Sequence, residues 1–216
     1  MSFDASMSRD VSDIIRSAKW LPEQKNSIFL VGMTDPKRMP DPKEAINALP
    51  AGNALIWRAY EGTADAIRLR TLGQAMSRKH GVLLIAGVPR LCSRLGVQGI
   101  HLPEWQLHHL HADGYVLPLH VLKNRMMLTA ACHSEKALHM AARMGVKNVL
   151  ISPVFQTESH SSPTVLGPIH LAQLARKAIR LGLTPYALGG ITNANRVRRL
   201  KGSGIAGIAG ISFLKR

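Results

Sequence analysis

Eight short runs of apolar, strand-prone residues punctuate the chain, at 28–31, 54–57, 82–85, 99–102, 126–131, 148–151, 184–188 and 205–211. None shows the apolar/polar alternation of a strand with one wet face, so each reads as a strand covered on both sides. Such strands belong to parallel sheets, whose crossovers lay helices over both faces. The segments between the runs carry helical spacing. Ala137, Leu138, Ala141 and Met144 form one apolar stripe, with Ser134 placed to cap that helix and Gly145 to end it. Residues 170–181 give a second helix stopped by Gly182, and 195–200 a short third stopped by Gly202. Eight strands with helical crossovers in about 200 residues predict an α/β protein, a single (β/α)8 TIM barrel. An open dinucleotide-binding sheet fits less well, because Gly32 follows the first run without a G-x-G-x-x-G turn. Residues 1–24, with Val11, Ile14, Ile15 and Ala18 at helical spacing, are expected to form a lead-in helix across the barrel bottom, and 25–216 the barrel domain.

Composition narrows the partners. Apolar residues make up 46% of the chain, enough to bury a core, and 28 basic residues against 13 acidic ones leave a net charge of +15. That excess raises nucleic acid as a partner. The basic residues are scattered in ones and twos, however, and only Trp57, Tyr60 and Trp105 offer stacking rings between positions 30 and 110. An anionic small molecule and a solvated basic surface account for the charge better than nucleic acid does. No uninterrupted apolar stretch approaches a membrane span, and the polar residues 1–10 do not resemble a secretion signal. Cys92 and Cys132 are too few for a disulfide framework or a zinc site, which fits a cytoplasmic protein. A homo-oligomer is compatible with these features.

The most informative segments are the last two strand ends. Gly189-Gly190-Ile191 closes the seventh run, and residues 204–212 carry glycines through the eighth to Ile211 and Ser212. Paired glycines let backbone amides approach an anion with no Cβ in the way. In barrels of this class a phosphate commonly sits in the loops after strands seven and eight. A phosphate site at Gly189, Gly190, Ile211 and Ser212 is therefore expected. His108, His109 and His111 lie in a Leu-rich segment with only Asp113 close by, and read as a solvated face with no metal. Cys132 and His133 are strand neighbours that point to opposite faces, so Cys132 reads as a packed thiol.

Taken in order, these segments resemble the thiamine phosphate synthases and their relatives the thiazole tautomerases. The parts are 29–35 at the first strand, Arg58 after the second, Gly99-Ile100-His101-Leu102 at the fourth, and Cys132-His133-Ser134 after the fifth. Ser152-Pro153-Val154-Phe155-Gln156-Thr157 after the sixth and the two glycine segments complete the likeness. The resemblance implies a barrel enzyme of thiamine biosynthesis that joins hydroxymethylpyrimidine diphosphate to a thiazole phosphate, assisted by Mg²⁺. It places Arg58, Thr157 and Glu104 in substrate binding.

Departures from the family pattern fall on the metal and diphosphate positions. The synthases carry Asn-Asp after the third strand, where this chain reads Ala86-Gly87. His-Leu-Gly-Gln-x-Asp after the fourth becomes His101-Leu102-Pro103-Glu104-Trp105-Gln106. Arg-x-Lys becomes Arg58-Ala59-Tyr60, and Thr-x-Thr-Lys becomes Thr157-Glu158-Ser159-His160. Two carboxylate positions and two lysines are thus replaced, with Glu104 and Asp35 left as possible Mg²⁺ ligands. The His101-Leu102-Pro103 turn is similar to the tautomerase branch, yet Pro153 stands where that branch has its catalytic histidine. Proton transfer would then fall to His101, His133 or His160, expected at strand ends and able to titrate near neutrality. The alternative is a non-catalytic protein that binds thiazole phosphate or thiamine phosphate.

Overall fold

The protein is described from a computed structural model, for residues 9–21, 28–58, 66–87, 98–114, 126–157 and 165–214. Eight parallel strands close into a barrel in sequence order: β1 Leu30–Met33, β2 Ala54–Trp57, β3 Val82–Ala86, β4 Gly99–Leu102, β5 Met127–Cys132, β6 Asn148–Ile151, β7 Thr184–Leu188 and β8 Gly207–Gly210. Closure comes from β1 and β8, with Leu30 opposite Ile208 and Gly32 opposite Gly210. The described helices are α1 Arg9–Ala18, α2 Pro42–Ala48, α3 Ala66–Arg78, α4 Glu104–Ala112, α5 Glu135–Arg143, α6 Gly167–Arg180 and α7 Ala194–Arg198, with a 3-10 turn over Ser212–Leu214. The eight apolar runs are the eight strands, nearly all of whose residues are buried.

Local chemistry explains the boundaries. Ser134 accepts the Ala137 amide at 3.2 Å and opens α5, while Asn193 accepts the Arg196 amide at 3.0 Å and opens α7. At the barrel bottom, buried Asn53 accepts from the amides of Phe29 (3.2 Å) and Leu30 (2.9 Å), tying the entry of β1 to β2. β1 itself begins at Leu30, two residues into the apolar run at 28–31. Helix α1 packs against α7 and the 3-10 turn, and Val11, Ile14, Ile15 and Ala18 join the main core. It lies along the flank beyond β7 and β8, where a lead-in helix across the bottom was expected. No described helix is long and apolar enough to cross a membrane.

Candidate functional site

A cavity of about 1110 Å³ opens at the C-terminal ends of the strands. One side of it is built from backbone. Gly189 and Gly190 leave β7 with φ of 102° and 67°, the left-handed region that glycine tolerates and other residues resist. A Cβ on Gly190 would stand 2.6 Å from the Phe155 carbonyl oxygen and press on that of Gln156, so no side chain fits there. Ile211 and Ser212, after β8, complete this wall. The amides of Gly190, Ile211 and Ser212 reach no backbone carbonyl among the described residues. Because Asn193 caps α7, Arg196 sits in the first turn of that helix, where its guanidinium donates to the Gly190 carbonyl and reaches Thr192 Oγ1 at 3.3 Å. Arg196 also lies over the Phe155 ring, 5.3 Å from its centroid. The result is a cup of backbone N–H groups beside a held arginine, a chemistry suited to phosphate.

The opposite side is built from side chains. Glu104, in the first turn of α4, accepts the His133 backbone amide at 2.8 Å, and its Oε2 lies 3.3 Å from His133 Nε2. Its other oxygen faces His108 Nε2 at 3.4 Å. His133 Nδ1 donates to the Ser152 carbonyl at 2.7 Å, which fixes the ring and leaves Nε2 directed at Glu104. Glu104, His108 and His133 all line the cavity, and Glu104 is the only carboxylate among the described lining residues.

Two further groups lie between these sides. Asp35, after β1, accepts the amides of Lys37 (3.1 Å) and Arg38 (3.0 Å) and pairs with Arg38 at 3.4 Å and Arg58 at 3.7 Å. Burial alone would raise its pKa, but the Arg38 side chain and these amides outweigh that and hold the carboxyl below its ordinary range. Asp35 therefore positions Arg38 and Arg58, both of which face the cavity. His101 projects into the barrel interior at 3% exposure, with Nδ1 2.8 Å from Thr129 Oγ1 on the neighbouring strand. Burial, helped by the nearby Arg58 charge, pushes its pKa down to about 3. The expectation that His101 titrates near neutrality is corrected accordingly: it is a neutral imidazole on the cavity floor.

These donors do not fit Mg²⁺. After β3 the chain offers Ala86 and Gly87, with no carboxylate in sequence through residue 97. Gln106 is buried off the cavity, and its Oε1 finds no partner among the described residues. Glu104 is already engaged by the His133 amide and two imidazoles and Asp35 by two amides and two guanidinium groups, and no group of three or more His, Cys, Asp or Glu among the described residues could hold a metal ion. A cation that prefers octahedral oxygen ligands would have to displace these partners.

Of the residues singled out in the sequence, the cavity gathers Gly189, Gly190, Ile211, Ser212, Arg58, Thr157, Glu104, His101 and His133. His160 and Cys92 lie outside the described residues. Cys132 is a buried thiol whose pKa is pushed up, by burial first and by the Glu104 charge second. The expectation of a solvated face at 108–111 holds for His109, which is exposed, but His108 stands on the cavity wall. Arg38, Trp105 and Arg196 are site residues that sequence reasoning missed. The i,i+4 spacing of Glu104 and His108, and the three-residue spacing from Asn193 to Arg196, were the available signals.

The sequence profile described as thiamine monophosphate synthase matches residues 30–214, which is most of the chain and every strand of the barrel. The chain belongs to the thiamine monophosphate synthase family. An Aquifex aeolicus protein named "Putative thiamine-phosphate synthase 2" is 30% identical over 145 residues, covering 65% of this chain and 70% of that protein. Among solved structures, thiamine phosphate pyrophosphorylase from Pyrococcus furiosus superposes with a TM-score of 0.64 at 19% identity, covering 87% of each chain. Citrate synthase SbnG superposes with a TM-score of 0.56 at 13% identity over 86% of this chain and 87% of its own, a likeness of barrel fold alone. The synthase family is thus shared by sequence.

Proposed function

We propose that this barrel binds a phosphorylated heterocycle of thiamine biosynthesis across its mouth, with the phosphate on Gly189, Gly190, Ile211 and Ser212 and without a metal ion. The observation that carries this reading is the shared cavity: the backbone cup, Arg58 and the Glu104–His133 pair line one volume. Arg196 beside the cup, and Arg38 and Arg58 held by Asp35, supply the positive charge that a bound phosphate needs. Thr157 and Glu104 would contact the remainder of the ligand.

The joining of hydroxymethylpyrimidine diphosphate to thiazole phosphate is the family reaction. Here the departing diphosphate would have only Arg38 and Arg58 to neutralise it among the described cavity residues on that side, which favours binding over rapid turnover. The Glu104–His133 contact supports a second reading, an isomerase in which His133 moves a proton on the bound ring. With Nδ1–H fixed on the Ser152 carbonyl, Nε2 is the nitrogen that exchanges a proton, and Glu104 steadies the charged ring.

Calorimetry with thiazole phosphate and thiamine phosphate, beside a turnover assay with both synthase substrates, separates these readings. Binding with negligible turnover is expected. Failure of both ligands to bind would remove thiamine chemistry from this site.

A further inference from the structure

One wall of the cavity takes no part in holding the phosphate. Trp105, in the first turn of α4, lines the cavity mouth yet keeps 62% of its surface exposed. Large aromatic side chains usually bury most of their area, and one left open at a cavity rim has an unspent stacking face. This ring is also restrained: His109, one helical turn on, meets it in a T-shaped contact with centroids 6.0 Å apart and planes at 75°. Beside it stand the Glu104 carboxylate and the imidazoles of His108 and His133.

An indole face attracts cations and stacks on planar rings, and a carboxylate accepts from ring or exocyclic N–H groups. A diphosphate brought to the same wall would meet the Glu104 charge instead. Resting on the phosphorylated-heterocycle reading, we infer that Trp105 determines specificity: it stacks on a heteroaromatic ring that carries positive charge or N–H donors, while the phosphate of the same molecule occupies the glycine cup across the mouth. The wall where the family pattern places its metal carboxylates thus selects a ring in this chain.

The test compares three monophosphates by calorimetry with the full chain: thiamine phosphate with a cationic ring, phenyl phosphate with a neutral ring, and glycerol phosphate with none. Affinity is expected to fall in that order, with thiamine phosphate at least tenfold tighter than glycerol phosphate. Trp105→Ala should bring the ratio of those two affinities to within twofold, and Trp105→Phe should restore most of it. Thermal unfolding of Trp105→Ala should match the parent, since the side chain is largely exposed. Equal affinities for all three ligands in the parent, or a preference that survives Trp105→Ala, would overturn the assignment while sparing the phosphate cup. Binding of none of the three would overturn it together with the cavity reading.

Discussion

The ends of β7 and β8 and the ends of β3 and β4 face each other across one barrel mouth, and they are made of different materials. The first side is backbone: Gly189, Gly190, Ile211 and Ser212, with Arg196 donating to the Gly190 carbonyl. The second is side chain: Glu104 between His108 and His133, with Trp105 at the rim. By the resemblance drawn from the sequence, the backbone side follows the synthase pattern and the side-chain side departs from it. The reason lies in what each asks of the fold. Gly190 has φ of 67° and backbone where a Cβ would stand, so the barrel itself requires glycine there, whatever the ligand. Position 87 is held to glycine by its φ of 140° alone, since a Cβ there would meet no atom within 4 Å. The fold thus demands glycine at Gly190 by both conformation and space, and at Gly87 by conformation only.

The largest expected effect tests the first half of that contrast. Gly190→Ala should lower stability on the order of 3 kcal/mol, because it adds left-handed strain to a backbone overlap. For a domain of this size that corresponds to a drop of about 10 °C in Tm, read by thermal unfolding. Phosphate binding should be lost with it. A fully stable Gly190→Ala protein would mean that the glycine is kept for the ligand alone, and the contrast would fail.

Next comes the floor shared by both sides. Since the folded pKa of His101 is near 3 and the unfolded value is 6.5, the unfolded chain takes up a proton that the folded chain refuses between those limits. Stability is therefore full above about pH 6.5 and declines as pH falls toward 3, by at most on the order of 5 kcal/mol from this group. Urea unfolding across that range should show the slope, and His101→Gln should flatten it. An unchanged slope in His101→Gln would show that the ring is not held neutral.

A smaller change sharpens the comparison from the cup side. Arg196→Gln removes the guanidinium beside the cup but leaves Asn193 to cap α7, so phosphate affinity should weaken about tenfold, or about 1.4 kcal/mol, with little change in unfolding. The parent's affinity should also weaken with added salt.

The barrel was legible in the sequence because strands buried on both faces write themselves as unbroken apolar runs. The cup was legible for a related reason: Gly189 and Gly190 mark positive φ, a signal local to the chain. The opposite wall was not. Whether His108 or His109 faces the cavity depends on how Pro103 sets the start of α4 after β4, and a rotation of one residue would exchange them. Arg38 was hidden for the same kind of reason, since its place follows from the turn that the Asp35 carboxylate organises. Gln106 looked like a substituted metal ligand in the sequence, yet the helix buries it away from the cavity.

The central claim is that the cup and its arginines hold the phosphate without help from a metal. Titrating the protein with thiazole phosphate in Mg²⁺ and again in EDTA measures this directly. The two affinities should agree within a factor of two. A loss of tenfold or more on chelation, about 1.4 kcal/mol, would mean that Glu104 or Asp35 gives up its present partners to bind a metal ion, and the metal-independent account would be wrong.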